Sequence, residues 1–269
     1  MTHTVHMPSA RNATRRDRVE ARLTAAGCVA AHEEAAELCA AAPDDETLDR
    51  WVGEREHGRP LAWILGATTF CGHRLHVDHG VYVPRAQSEE LARRAAGRLP
   101  RGGAAADLCT GSGALAAHLH AEVPDATVVA VDADPAAAAC ARSNGVPVVI
   151  GDLGACLRPL AFDLVTAVAP YVPTGHLHLL PADVQRYEPA RALDGGDDGL
   201  RLVREVVDAA ACVLRPGGWL LVELGGEQDV ALRSALDAHG FAAVATWTDE
   251  DGDLRGLEAR LVGRRFPST

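Results

Sequence analysis

The sequence predicts an α/β protein: a doubly wound, mostly parallel seven-stranded sheet with an antiparallel edge hairpin, preceded by a small helical domain. Three observations carry this. From about residue 88, apolar strand-like runs alternate with helical patterns, as parallel βαβ units require. A glycine turn, Gly111-Ser112-Gly113, ends the first of those runs and opens a helix. The last stretch reads helix, strand, strand, with the polar turn Asp249–Asp253 between the strands, so those two strands should pair antiparallel.

In chain order, residues 15–57 place Leu23, Val29, Ala35, Leu38, Leu48 and Trp51 at helical spacing among charges. Pro43-Asp44-Asp45 breaks that pattern and offers a new helix start, with Glu46 in its first turn. From Leu61 to Val83 the residues Trp63, Ile64, Phe70, Val77 and Val81 are spaced by Gly66, Gly72 and Gly80, which predicts a β-hairpin between two domains. The expected division is residues 1–60 helical, 61–84 hairpin linker and 85–269 the α/β domain. Within the last, helices are expected over 88–98, 113–122, 135–143, 198–214 and 228–239. Strands are expected over 104–108, 127–131, 147–150, 163–167, 218–224, 241–247 and 257–263.

Composition removes several classes of function. The chain has 269 residues, 48% hydrophobic and 23% charged, which is too apolar for disorder. No run approaches the roughly 18 apolar residues of a membrane helix, and the N-terminus lacks the apolar core of a signal peptide, so a cytoplasmic protein is expected. A formal charge of −11 argues against direct binding of nucleic acid. Every one of the 26 basic residues is Arg, which excludes a catalytic lysine, a Schiff base and a phosphate loop of the Walker type. Arg11, Arg15, Arg16, Arg18 and Arg22 read as a solvated helix start rather than an RNA contact.

Seven scattered cysteines without a CxxC pair suit reduced thiols and neither a disulfide framework nor a zinc site. His73, His76 and His79 lie along a strand and turn, where a two-residue gap does not bring three imidazoles together, so no metal site is expected. The acidic run Asp249–Asp253 lacks the spacing and terminal Glu of a calcium loop.

The chemistry concentrates in the α/β part. Asp107-Leu108-Cys109-Thr110-Gly111-Ser112-Gly113 combines a tight turn with the free N–H groups of a helix start. Asp132 stands 21 residues beyond Gly111, at the end of the next strand, where a carboxylate can accept both ribose hydroxyls and Ala133 follows it. Asp152 ends the third strand, placed for an adenine amino group while Leu153 packs on the ring. The turn also satisfies the dinucleotide pattern GxGxxA, but Asp107 would repel a pyrophosphate and suits an amino group instead. With Asp152 and the Arg215-Pro216-Gly217-Gly218 turn before the strand Trp219–Glu223, the pattern favours S-adenosylmethionine over a dinucleotide.

At this point the chain resembles the HemK/PrmC-type protein-(glutamine-N5) methyltransferases, which modify the GGQ glutamine of peptide-chain release factors. The resemblance covers nearly the whole chain. It rests on Arg59–Gly66 with Phe70-Cys71-Gly72, on Val83-Pro84-Arg85-Ala86-Gln87-Ser88-Glu89, on Asp107–Gly113, on Leu224-Gly225-Gly226-Glu227-Gln228 and, most specifically, on Tyr187–Leu200. It implies a Rossmann-like class I methyltransferase domain behind a helical substrate-recognition domain. It also implies Arg85 and Glu89 in an ordering loop, and an acceptor loop Val168-Ala169-Pro170-Tyr171.

That loop departs from the family, which carries Asn-Pro-Pro-Tyr. There the Asn side-chain carbonyl and the next backbone carbonyl take the two amide hydrogens of the glutamine. Val168 has no such acceptor, the Ala169 carbonyl is retained, and Pro170 and Tyr171 can still shape a wall. The acceptor is therefore expected to be a release-factor glutamine, or else a small molecule or another protein site, with a non-catalytic homologue as the third reading. His176, His178 and Glu188 are the candidates for a proton acceptor.

Overall fold

A computed structural model describes residues 10–263, with side chains from Thr14 onward. The chain opens with helices α1 (Ala10–Ala25), α2 (Ala31–Ala41), α3 (Asp45–Glu56) and the short α4 (Leu61–Leu65). The Asp44 side chain caps α3 by accepting from the Thr47 N–H at 2.7 Å, so the Pro43-Asp44-Asp45 break acts as the sequence indicated. Leu23, Leu38, Val52 and Ile64 close a separate apolar cluster among these helices.

The hairpin is shorter than expected: β1 (Ala67–Phe70) and β2 (His73–His76) pair antiparallel, with Phe70 opposite His73. Leu61–Leu65, taken as part of the hairpin, is helical instead. Pro60 precedes it with extended backbone, and Gly66 ends it in the left-handed region at φ 67°.

The α/β part follows as α5 (Glu89–Arg98), β3 (Ala104–Leu108), α6 (Ala114–Glu122), β4 (Thr127–Asp132), α7 (Pro135–Ser143), β5 (Val148–Ile150) and β6 (Phe162–Ala167). After a short α8 (Ala182–Tyr187) come α9 (Arg201–Val213), β7 (Leu214–Glu223), α10 (Gln228–Ala238), β8 (Phe241–Thr248) and β9 (Leu254–Leu261). Every expected strand and helix of this part is present. The sheet order is β5-β4-β3-β6-β7-β9-β8, parallel from β5 to β7 and antiparallel at the β7–β9 and β9–β8 pairings. The chain runs outward from β3 to β5 and returns to β6, so the order reverses beside β3. Ligands of such sheets bind at the carboxyl ends of the strands at that reversal.

Helices cover both faces, which is why the central strands are continuous apolar runs. One face packs Val203, Val207 and Ala210 of α9 with Leu232 and Leu236 of α10. The other packs Leu91 and Ala95 of α5 with Leu119 of α6 and Ala141 of α7. At the edge, Asp249 accepts from the Asp251 and Asp253 N–H groups and from Arg255 Nε at 2.7 Å, so the acidic run is a hairpin turn.

In the N-terminal cationic stretch, Arg15 pairs with Asp45 at 2.9 Å and Arg22 with Glu56 at 2.7 Å. These charges hold helices together; the side chain of Arg11 lies outside the described residues. All seven cysteines are free thiols. Among the described residues no helix is long and apolar enough to cross a membrane.

Candidate active site

Two cavities meet at the carboxyl ends of the parallel strands. The first, of about 250 Å³, is walled by Cys109–Ser112, Asp132–Asp134, Gly151–Leu153, Val168 and Pro170. Phe70 from the hairpin, Tyr82, Ala114 and Leu115 from α6, and Pro189, Arg191 and Ala192 also line it. Sequence reasoning brought the glycine turn and two of the three acids to this wall. The turn is fixed from below. Cys109 takes a left-handed φ of 56° where glycine is favoured, and the Asp132 carboxylate accepts from the Gly111 N–H at 2.8 Å and the Asp134 N–H at 2.9 Å. Burial raises the Asp132 pKa and those two backbone donors oppose it. Each Asp132 oxygen keeps a second lone pair, so the group remains suited to a pair of ribose hydroxyls.

Asp107, expected beside the ligand's amino group, lies beneath the turn rather than on this wall. It is fully buried beneath the turn, and its two oxygens accept from Thr110 Oγ1 at 2.5 Å and Thr166 Oγ1 at 2.7 Å. Burial, opposed by the two hydroxyls, pushes its pKa up to about 6. Its role is to hold the turn and β6 together. Gly113 also lies off the wall; it starts α6 in the left-handed region at φ 82°, with Ala141 3.1 Å from where a Cβ would stand.

The second cavity, of about 670 Å³, shares Tyr82, Val168, Pro170 and Ala192 with the first. Ala169, Tyr171, Arg85 and Gln87 form its inner wall. Cys28, Val29, Glu34 and Arg55 of the helical segment and Leu180–Val184 form its outer wall.

The Val168–Tyr171 loop is braced from three sides. Tyr171 donates its hydroxyl to Glu223 at 2.8 Å, and Ser88 donates to the same buried carboxylate at 2.5 Å. Gln87 Nε2 donates to the Tyr171 hydroxyl at 3.2 Å. Burial, and then the Glu223 charge, push the Tyr171 phenol well above its ordinary range, so it stays a hydroxyl donor. Gln228 Nε2 donates to the Tyr171 carbonyl at 2.8 Å, while its Oε1 accepts from the Gly225 N–H. The third brace is the motif after Tyr187: Val172 donates to the Leu193 carbonyl, and Gly195 donates back to Val172.

Arg85 lies over the Tyr82 ring at 4.9 Å and pairs with the buried Glu188, whose pKa burial raises and Arg85 lowers. Glu89 lies on neither wall; it accepts from the Cys71 N–H at 2.9 Å and pairs with Arg93, tying hairpin to α5. His176 and His178 are exposed and line neither cavity.

Glu223 and Gln228 were not singled out as site residues. An acid closing the apolar strand Trp219–Val222 was the available signal for Glu223. Gln228 stood in a quoted motif without a role.

A glycine turn, an acid after the second strand and an acid after the third, converging on one cavity at the sheet's switch point, define a class I S-adenosylmethionine-dependent methyltransferase. Solved structures carry the same fold. The chain is similar to the Thermus thermophilus 16S rRNA N2 G1207 methyltransferase, bound to AdoMet and guanosine, with TM-score 0.52 and 20% identity over 75% of this chain and 46% of that one. It is also similar to M. jannaschii TYW2 in complex with AdoMet, with TM-score 0.50 and 13% identity over 72% and 84% of the two chains. No protein-family profile matches the chain.

Curated relatives narrow the class. Release factor glutamine methyltransferase of Geobacter sulfurreducens is 38% identical over 78% of this chain and 76% of its own length. Those of Neisseria gonorrhoeae and Mycolicibacterium smegmatis are 35% and 38% identical over 82% of this chain. The chain belongs to the release factor glutamine methyltransferase family, and it is an S-adenosylmethionine-dependent methyltransferase.

Proposed function

We propose that this enzyme methylates the side-chain amide nitrogen of a glutamine presented by a peptide-chain release factor. The observation that carries the reading is the junction of the two cavities at Val168 and Pro170. A methyl donor held by the turn, Asp132 and Asp152 directs its sulfonium methyl towards that junction. An acceptor entering from the second cavity meets it in line. The amide nitrogen attacks the methyl carbon, the C–S bond breaks with its electrons going to sulfur, and the nitrogen gives one proton to solvent.

An amide nitrogen is a weak nucleophile, so the loop's work is orientation of the acceptor against the donor methyl. The Ala169 carbonyl is the acceptor this loop retains for the amide hydrogens, and Pro170 and Tyr171 form the wall. In this reading residues 1–60 grip the substrate protein, because Cys28, Val29, Glu34 and Arg55 face the acceptor cavity. The reaction belongs in the cytoplasm, in keeping with seven free thiols.

One observation favours a second reading. Val168 places an apolar side chain where a glutamine amide would use a carbonyl, which suits an acceptor that needs no such partner, a small molecule or another protein site. Mass mapping of a release factor after incubation with enzyme and S-adenosylmethionine separates the two. A methyl on the glutamine of the GGQ segment supports the first reading. A release factor left unmodified, with enzyme that binds the donor, refutes it in favour of the second.

A further inference from the structure

Away from both cavities, the fold assembles a cluster that sequence spacing conceals. His118 and Glu122 stand four apart on α6, on one face of the helix. The β1–β2 turn brings His73 against them, its ring 6.2 Å from that of His118. One ligand atom from each of the three lies within 4.8 Å of the others. His118 is 94% buried by its 6% exposure, yet neither ring nitrogen has a hydrogen-bond partner among the described residues. A buried imidazole without partners is a costly arrangement that core histidines avoid. Arg93, whose charge reaches the cluster, is itself paired with Glu89 and Glu90.

The geometry points to a divalent transition-metal site, of the zinc class, formed by His73, His118 and Glu122. Two imidazoles and one carboxylate are a zinc donor set, with a fourth position left to water. Bonds of about 2.0–2.1 Å put tetrahedral ligand atoms roughly 3.3 Å apart. His73 and Glu122 are exposed and reach that spacing by rotation about their side-chain bonds. The metal would clamp β2 to α6. Phe70, opposite His73, and Ala114 and Leu115 of α6 all wall the donor cavity, so the clamp joins two of its sides.

The test uses the untagged full chain, stripped with chelator and titrated with Zn²⁺ by calorimetry and with Co²⁺ by visible absorption. One equivalent of Zn²⁺ should bind, the Co²⁺ form should show the intense bands of low coordination number, and Zn²⁺ should raise the melting temperature. His73→Ala and Glu122→Gln, both at exposed positions, should each weaken binding by at least about tenfold. His76→Ala, in the nearby His76, Asp78, Cys140 group, should leave it unchanged. Donor binding by each variant confirms that it is folded. Absence of binding by the wild type, affinity indifferent to His73→Ala and Glu122→Gln, or loss with His76→Ala would each overturn the assignment.

Discussion

Glu223 shows how much one side chain can decide. It is a buried carboxylate satisfied by hydroxyls from two separate loops, one of which carries Tyr171 on the wall of the second cavity. Removing a donor from a buried carboxylate costs about 1–3 kcal/mol. Tyr171→Phe keeps the ring and deletes the donor, so denaturant unfolding should show a loss of that size; unchanged stability would refute the bracing role. Asp107 makes a prediction in pH. Its folded pKa, raised to about 6, exceeds the ordinary value of 3.8, so the native state holds a proton that the unfolded chain has released. The contribution of Asp107 to stability therefore falls as pH rises between about 4 and 6, by about 2–3 kcal/mol in all, and stays lower above that. Asp107→Asn removes this dependence. Melting temperatures across the range should rise relative to wild type as pH increases, and a constant difference would contradict the assignment. The sequence placed Asp107 at the turn, and the fold buries it beneath that turn. Strand alternation alone does not say which face of β3 the turn leaves covered, whereas Thr110 and Thr166, which take both its oxygens, come together only in the fold.

At the scale of elements, the acceptor loop depends on its neighbours more than on itself. Gly199 has φ 73°, and a Cβ there would stand 2.3 Å from the Tyr171 carbonyl oxygen and 2.6 Å from Gln228 Nε2. Gly199→Ala must displace that backbone. Methyl transfer should fall about 10²-fold, as for a misplacement of an ångström. Donor affinity by calorimetry should stay close to wild type, because Gly111 and Asp132 are untouched. Equal losses in both would mean that the two cavities are not separately supported. The parallel sheet was legible element by element, since each apolar run of four to six residues is bounded by turns or caps such as Asp134-Pro135. The helix Leu61–Leu65 was not legible. Five consecutive apolar residues show no helical period and read as strand, and only Pro60 before and Gly66 after hint otherwise.

Across the whole molecule, the parts proposed to recognise donor and acceptor come from different distances in sequence. The donor cavity is built mostly from the ends of consecutive strands, so its acids and glycines are readable in order. The acceptor cavity joins Cys28 to Arg55, Tyr82 to Gln87, Val168 to Val172 and Leu180 to Val184, segments that only tertiary packing brings together. Its existence could not be read from any one of them. Their meeting point is Val168, and the central claim is that this wall orients the acceptor amide against the donor methyl. Single-turnover methyl transfer to a release factor, measured for the wild type beside Val168→Asn, tests that claim most directly. A restored side-chain carbonyl supplies one oriented acceptor, a contribution of about 10²–10³ in rate or roughly 3–4 kcal/mol. The account predicts that both proteins methylate the glutamine and that Val168→Asn does so faster by that order. A substituted enzyme no faster than the wild type, or no methyl on glutamine from either, would contradict it.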